Sequence, residues 1–130
     1  MEKKKFDLEE RLIEFTCNMI DVVEALPNSR AGNYIAGQLI RSCHSPSFNY
    51  AEVQAAESAN DFIHKMSVVL KEIKECRTAL RIIYRREMLI EKTILTKMIN
   101  EAEELSTIVG KSISTARINQ KNRLAAKNDH

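Results

Sequence analysis

Turn residues are scarce in this chain. Its 130 residues include three Gly, two Pro and no Trp, and aromatics make up only 5%. Folds built of short strands need a turn signal every ten residues or so, so that whole class is excluded. No apolar run approaches the length of a membrane span. The opening "MEKKKFDLEERL" turns acidic, with no apolar stretch behind its lysines, so no secretory leader is expected. Cys17, Cys43 and Cys76 are odd in number, far apart and never in a C-x-x-C arrangement. That spacing excludes a disulfide framework and predicts three reduced, buried small residues in a cytoplasmic protein. The net charge of +2 is too small to imply a polyanionic partner by itself. Its distribution is uneven: residues 1–60 carry 6 basic and 9 acidic side chains, and residues 61–130 carry 14 and 9. The asymmetry points to an acidic ligand or to complementary self-association.

What the chain does have is helix formers, spaced for packing. Leu8, Leu12, Phe15, Met19, Val22 and Leu26 recur at steps of three and four, which predicts one helix from about 7 to 26. Asp7 with Glu10 resembles a capping box at its start. "PNS" at 27–29 stops it. A second helix is expected over about 30–58, with Ile35, Leu39, Cys43, Pro46, Tyr50 and Val53 as its apolar line. A third, over about 60–86, follows Phe62, Met66, Val69, Ile73, Cys76, Leu80 and Ile83. A fourth, over about 92–119, carries Leu95, Met98, Ile99, Ala102, Leu105, Ile108, Val109, Ser112 and Ile113. The link "RREMLIEK" has neither Gly nor Pro and marks its boundary poorly. Residues 120–130 are polar and expected to fray. Four long amphipathic segments with short links predict a single all-α domain over 1–130, an antiparallel up-down-up-down four-helix bundle.

Candidate chemistry is thin. A di-iron bundle needs inward Glu residues and two E-x-x-H pairs, whereas the nearest match is Asp61-Phe-Ile-His64, once. His44 has no acid at the needed spacing. Arg123 and His130 fit a loose helical-RNase spacing but lie in the polar tail. There is no glycine-rich phosphate loop, zinc-ligand cluster or serine–histidine–acid arrangement. The reading is a non-enzyme with no metal, no cofactor and no small-molecule substrate.

Charge is more informative on the third helix. Lys71, Lys74, Arg77, Arg81 and Arg85 recur at steps of three and four, within about 120° of one face. Lys111, Arg117, Lys121, Arg123 and Lys127 add positive charge on the last helix. Three accounts fit the stripe: a solvated face with partners such as Lys71–Glu75, a seat for the acidic first helix of another subunit, or a track for a phosphate backbone.

The second helix poses a different question. In "RSCHSPSFNYAE" the residues Ser42, Ser45, Asn49 and Glu52 fall at seam spacing, where unpaired burial would cost about 1–3 kcal/mol per group. They must face water or meet polar groups at a helix or subunit interface. Pro46 lacks the N–H that would bond the Ser42 carbonyl. Either the helix kinks there, the reading preferred, or Ser45 caps a new segment with Pro46 at its first position.

This stretch, followed by "ESANDF" and "LKEIKECR", resembles the bacterial four helix bundle protein family, the ribosomal-protein-like proteins of 23S rRNA intervening sequences. That pattern runs roughly R-S-x-x-S-[IV]-x-x-N-[IL]-x-E-G, then S-x-x-[DE]-F, then E-x-x-E. Arg41, Ser42, Ser45, Asn49, Glu52, Ser58, Asp61, Phe62, Glu72 and Glu75 match it, while Pro46 stands for Ile or Val and Val53 for Gly. The resemblance covers about residues 6 to 118. It implies a ring-like homopentamer without catalytic activity. The expected partners are therefore a second copy of the chain and RNA or a ribonucleoprotein, the latter through Lys71, Lys74, Arg77, Arg81 and Arg85. Arg41, Ser42, Ser45, Asn49, Glu52, Asp61 and Phe62 form the structural and interface motif. The alternative is a protein–protein scaffold or adaptor with no nucleic-acid role.

Overall fold

The computed structural model describes residues 7–128, which hold four helices and no strand. They are α1 (Leu8–Ala25), α2 (Arg30–Val53), α3 (Ala59–Arg85) and α4 (Thr93–Asn128). Each of the first three begins on a side chain that accepts a free amide of the first turn. Asp7 accepts from Glu10, Ser29 from Gly32 and Ser58 from Asp61, satisfying donors the helix cannot. Gly32 is required by close approach: a Cβ there would run into the Pro27 carbonyl.

α1 packs on α2 and α4, and α3 packs on α2 and α4; α1 and α3 do not meet. The four predicted apolar seams converge in one core. Leu12, Phe15 and Met19 of α1, Leu39 and Cys43 of α2, Met66, Ile73 and Leu80 of α3, and Leu95, Met98 and Leu105 of α4 are all buried. Arg11 ties α1 to α4 outside that core. Its Nη2 and Nε donate to the Glu101 carboxylate at 2.6 and 3.2 Å, and its Nη1 to Glu104 at 3.0 Å. The Glu101 hydrogen bond, with Glu104 behind it, raises the Arg11 pKa against the effect of burial.

Three sequence expectations need correction, and one alternative is removed. α2 ends at Val53, before Ser58, because Ser58 is engaged as the cap of α3. α2 runs unbroken through Pro46, so Ser45 does not open a new segment. α4 continues past Asn119 to Asn128 although residues 121–128 are exposed; Ala, Arg, Lys and Leu sustain it by propensity. The expectation for residues 129–130 lies outside the described residues. Cys17 is exposed, whereas Cys43 and Cys76 are buried, and all three are free thiols. Burial pushes the Cys43 thiol up to about 11.

The poorly marked α3–α4 link has a definite device. Glu87 adopts φ 52°, Met88 N–H donates to the Ile83 carbonyl and Glu87 N–H to that of Tyr84. This is a left-handed helix stop of the Schellman type, normally built on Gly. A non-glycine residue there costs roughly 1–2 kcal/mol. Burial of Leu89 offsets that cost, whereas the Lys92–Glu87 ion pair at 2.8 Å is exposed and adds little.

Candidate functional site

The polar line of α2 divides into three parts with different roles. Ser42 is buried and its Oγ donates to Glu75 Oε2 on α3 at 3.3 Å. Asn49, half-buried, folds back on its own helix, donating to the carbonyl and Oγ of Ser45 at 2.9 Å. Glu52 is exposed, and Arg41 donates to Gln38 at 2.9 Å. Seam spacing here therefore does not mean a single buried polar seam.

A second polar contact was not legible in the motif. Thr16 of α1 is buried, and its Oγ1 lies 2.7 Å from the Cys43 carbonyl, 3.0 Å from that of Leu12 and 3.0 Å from Ser47 Oγ. One hydroxyl proton serves one carbonyl, and the shorter contact is to Cys43; Ser47 can then donate to Thr16. The contact lies beside Pro46, where the ladder of α2 lacks a donor. Thr16→Val is expected to cost about 1 kcal/mol in denaturant unfolding, the usual net worth of such a bond. Unchanged stability would show the contact to be incidental.

The S-x-x-[DE]-F positions are a helix start. Asp61 Oδ2 accepts from Glu57 N–H at 3.1 Å and from Lys65 Nζ at 2.8 Å, while Ser58 Oγ accepts from Asp61 N–H at 3.0 Å. The Lys65 hydrogen bond leads the causes that hold the Asp61 pKa low. Phe62 packs half-buried against the core. Among the described residues, no three His, Cys, Asp or Glu side chains are grouped to hold a metal.

The E-x-x-E positions are where the structure gathers charge. Glu72 is buried and its Oε2 has no hydrogen-bond partner. Burial raises its pKa first, then the charge of Glu75 and a hydrogen bond to it, with Arg41 and Lys71 opposing. Two acidic side chains thus stand together here, and Ser42 donates to the second of them. Glu75 lines a groove of about 680 Å³ between α2 and α3. Its apolar lining includes Tyr34, Ile35, Leu39 and Ile82, and its charged rim includes Arg41, Lys71 and Lys74. Tyr34 is 69% exposed and Ile82 46%, so these two face solvent in the isolated chain above the buried Leu39.

Along the outer face of α3, beside that groove, Lys71, Lys74, Arg81 and Arg85 are all exposed. None forms an ion pair with another described residue, and the Lys71–Glu75 partnership is not formed. Arg77 does not share their exposure. It is half-buried, with a buried Nε that lacks a hydrogen-bond partner, because its position turns it off the outer face. The stripe is thus four residues.

The outer face of α1 has the opposite sign. Glu9, Glu10, Glu14, Asp21 and Glu24 are exposed, around exposed Ile13 and Cys17. Helical spacing places these residues opposite the Leu12–Phe15–Met19 seam. α1 and α3 do not touch, so the acidic and basic faces lie on opposite sides of the molecule.

No helix is long and apolar enough to cross a membrane among the described residues. Comparison with curated proteins gives no match. Among solved structures, the chain is similar to a protein of unknown function from the S23 ribosomal protein family of Bacteroides thetaiotaomicron. The two share 25% identity with a TM-score of 0.75, over 82% of this chain and 98% of that one. The model of the family described as 23S rRNA-intervening sequence protein matches residues 4–111. With the four-helix fold, the Arg41–Ser42 and Glu72–Glu75 positions meeting across α2 and α3, and a match over most of its length, the chain belongs to the 23S rRNA-intervening sequence protein family.

Proposed function

We propose that this chain is a non-enzymatic, cytoplasmic protein that works as a homo-oligomeric ring, with the acidic face of α1 in one copy seated on the α2–α3 groove and basic stripe of the next. One observation carries the reading: two surfaces of opposite charge, each with exposed apolar residues, face opposite ways on one chain. A contact between them cannot be two-fold symmetric. It is head-to-tail, and such contacts close into rings when the rotation per step permits. Tyr34 and Ile82 then supply the dehydrated centre, and Lys71, Lys74, Arg81 and Arg85 the rim. A pentamer is the ring that the family resemblance suggests.

Within each subunit the helices run antiparallel, up-down-up-down. The bond from Gln120 of α4 to Asn60 at the start of α3, with the short link at the opposite ends of those helices, supports this. α2 bends at Pro46, consistent with the Thr16 hydroxyl at the neighbouring Cys43 carbonyl.

The experiment is solution mass by light scattering. Wild type is expected to be oligomeric, and Lys71→Glu, Lys74→Glu, Arg81→Glu and Arg85→Glu together are expected to give monomer. Reversing Glu10, Glu14 and Asp21 to Lys in a second chain, mixed with the first, should restore assembly. A monomeric wild type, or stripe reversal without change of mass, rejects the reading. A second reading, RNA laid on the stripe, is favoured by the four unpaired cations. It predicts that the same stripe reversal abolishes RNA binding while the mass stays as it was.

A further inference from the structure

We infer that the C-terminal part of α4, residues 112–128, is a cationic arm that binds the phosphate backbone of duplex RNA. This goes beyond the assembly reading and does not depend on it. From Leu105 to Asn128 the chain has five basic residues and no acidic one. Lys111, Arg117, Lys121, Arg123 and Lys127 are all exposed, and none makes an ion pair with another described residue. Helical order continues to Asn128, so the charges sit on a rod rather than on a loose tail. The family match stops at residue 111, and Ile113 is the last buried residue of α4, so the charges from Arg117 onward lie beyond the core.

A solvated helix end does not explain the pattern. Solvated faces gain from opposite charges at i,i+4, whereas Arg117–Lys121 and Arg123–Lys127 are like-charged at that spacing and oppose the helix. The helix dipole favours cations only in the last turn, which accounts for Lys127 and not for Arg117. An arrangement that is locally unfavourable in the free chain becomes favourable against a row of phosphates, where each neutralised contact releases counterions.

The composition also selects among anionic partners. A membrane-surface helix needs an apolar stripe, but Ile118 and Leu124, both exposed, stand six residues apart and so about 120° apart around the helix. A protein interface is anchored by aromatics in its dehydrated centre, and no Phe, Tyr or Trp follows Tyr84. The same lack removes the stacking platform that single strands use. Duplex backbone remains. Asn119 and Asn122, exposed between the cations, are amide donors and acceptors of the kind that meet 2′-hydroxyls.

The test uses the full chain and a variant carrying Arg117→Gln, Lys121→Gln, Arg123→Gln and Lys127→Gln, which keeps helix formers at every site. Fluorescence anisotropy of a labelled RNA hairpin is recorded over a salt series. Wild type is expected to bind with strong salt dependence. The variant should lose roughly 3–4 units of log–log salt slope and at least about tenfold in low-salt affinity. Its helix content and solution mass are expected to be unchanged. An equal slope in the variant overturns the inference. So does equal affinity for a DNA duplex of the same length, or preferential capture by phosphatidylglycerol-containing vesicles. A fall in oligomer mass would assign the arm to a neighbouring copy and overturn it too. The ring reading is judged by wild-type mass and stripe reversal, so either proposal can fail while the other stands.

Discussion

Leu80→Ala is expected to lower the free energy of unfolding by about 2–5 kcal/mol, the range for truncating a fully buried aliphatic side chain. Leu80 has no exposure, and its helix α3 packs on both α2 and α4. A cavity at this position therefore cannot be relieved by shifting one neighbour without opening the other side. The same stretch of α3 carries Ala79 and Ile82, which line the groove. The loss in the core therefore reaches the proposed subunit seat through the position of the helix. Urea unfolding at fixed protein concentration is the measurement, since assembly makes apparent stability concentration-dependent. The midpoint should fall with little change in slope. A loss below about 1 kcal/mol would mean that the interior collapses around the site and is less tightly packed than its burial indicates.

The fold was legible because apolar residues at steps of three and four mark a helix and its inner face together. Leu12–Phe15–Met19 and Ile73–Cys76–Leu80–Ile83 are buried as their spacing requires. What periodicity does not carry is how polar groups are shared between elements. Ser58 ended one predicted helix, yet caps the next. Glu87 breaks α3 with a left-handed residue that no turn-forming side chain announced. The salt bridges of Arg11 reach across 90 and 93 residues to Glu101 and Glu104, and nothing in either local pattern pairs them.

The candidate site was legible by half. Spacing placed Lys71, Lys74, Arg81 and Arg85 on one face, and they are exposed together. It also included Arg77, which is half-buried, because a window of about 120° is wider than the exposed arc of a packed helix. The meeting of Ser42 with Glu75 was invisible for a different reason. It depends on the register of α2 against α3, which neither helix encodes alone. The acidic face of α1 was legible only as a charge imbalance between the two halves of the chain. Its position opposite the stripe needed the packing order of the helices.

Glu72→Gln is expected to stabilise the protein at neutral pH by roughly 1–3 kcal/mol, the scale of a buried polar group left without a partner. Burial raises the folded pKa of Glu72 above its ordinary 4.5, with Glu75 adding to the effect. The folded chain thus holds this proton more tightly than the unfolded chain. Linkage then fixes the sign: the contribution to stability is fully present below about 4.5 and is lost as pH rises through the raised folded value. Gln cannot titrate, and its amide can donate to the Glu75 carboxylate. The wild-type-minus-variant difference in stability should therefore grow more negative as pH rises from about 4.5 towards neutrality, and then level off. Urea midpoints for both proteins across that window provide the check; parallel curves would show that Glu72 titrates alike in the folded and unfolded chain. With Arg41, Lys71 and Lys74 on its rim against Glu75, the groove is net positive in either protonation state of Glu72, the sign that the proposed seating of an acidic α1 requires. This substitution thus tests the buried carboxyl without removing the charge of the proposed seat.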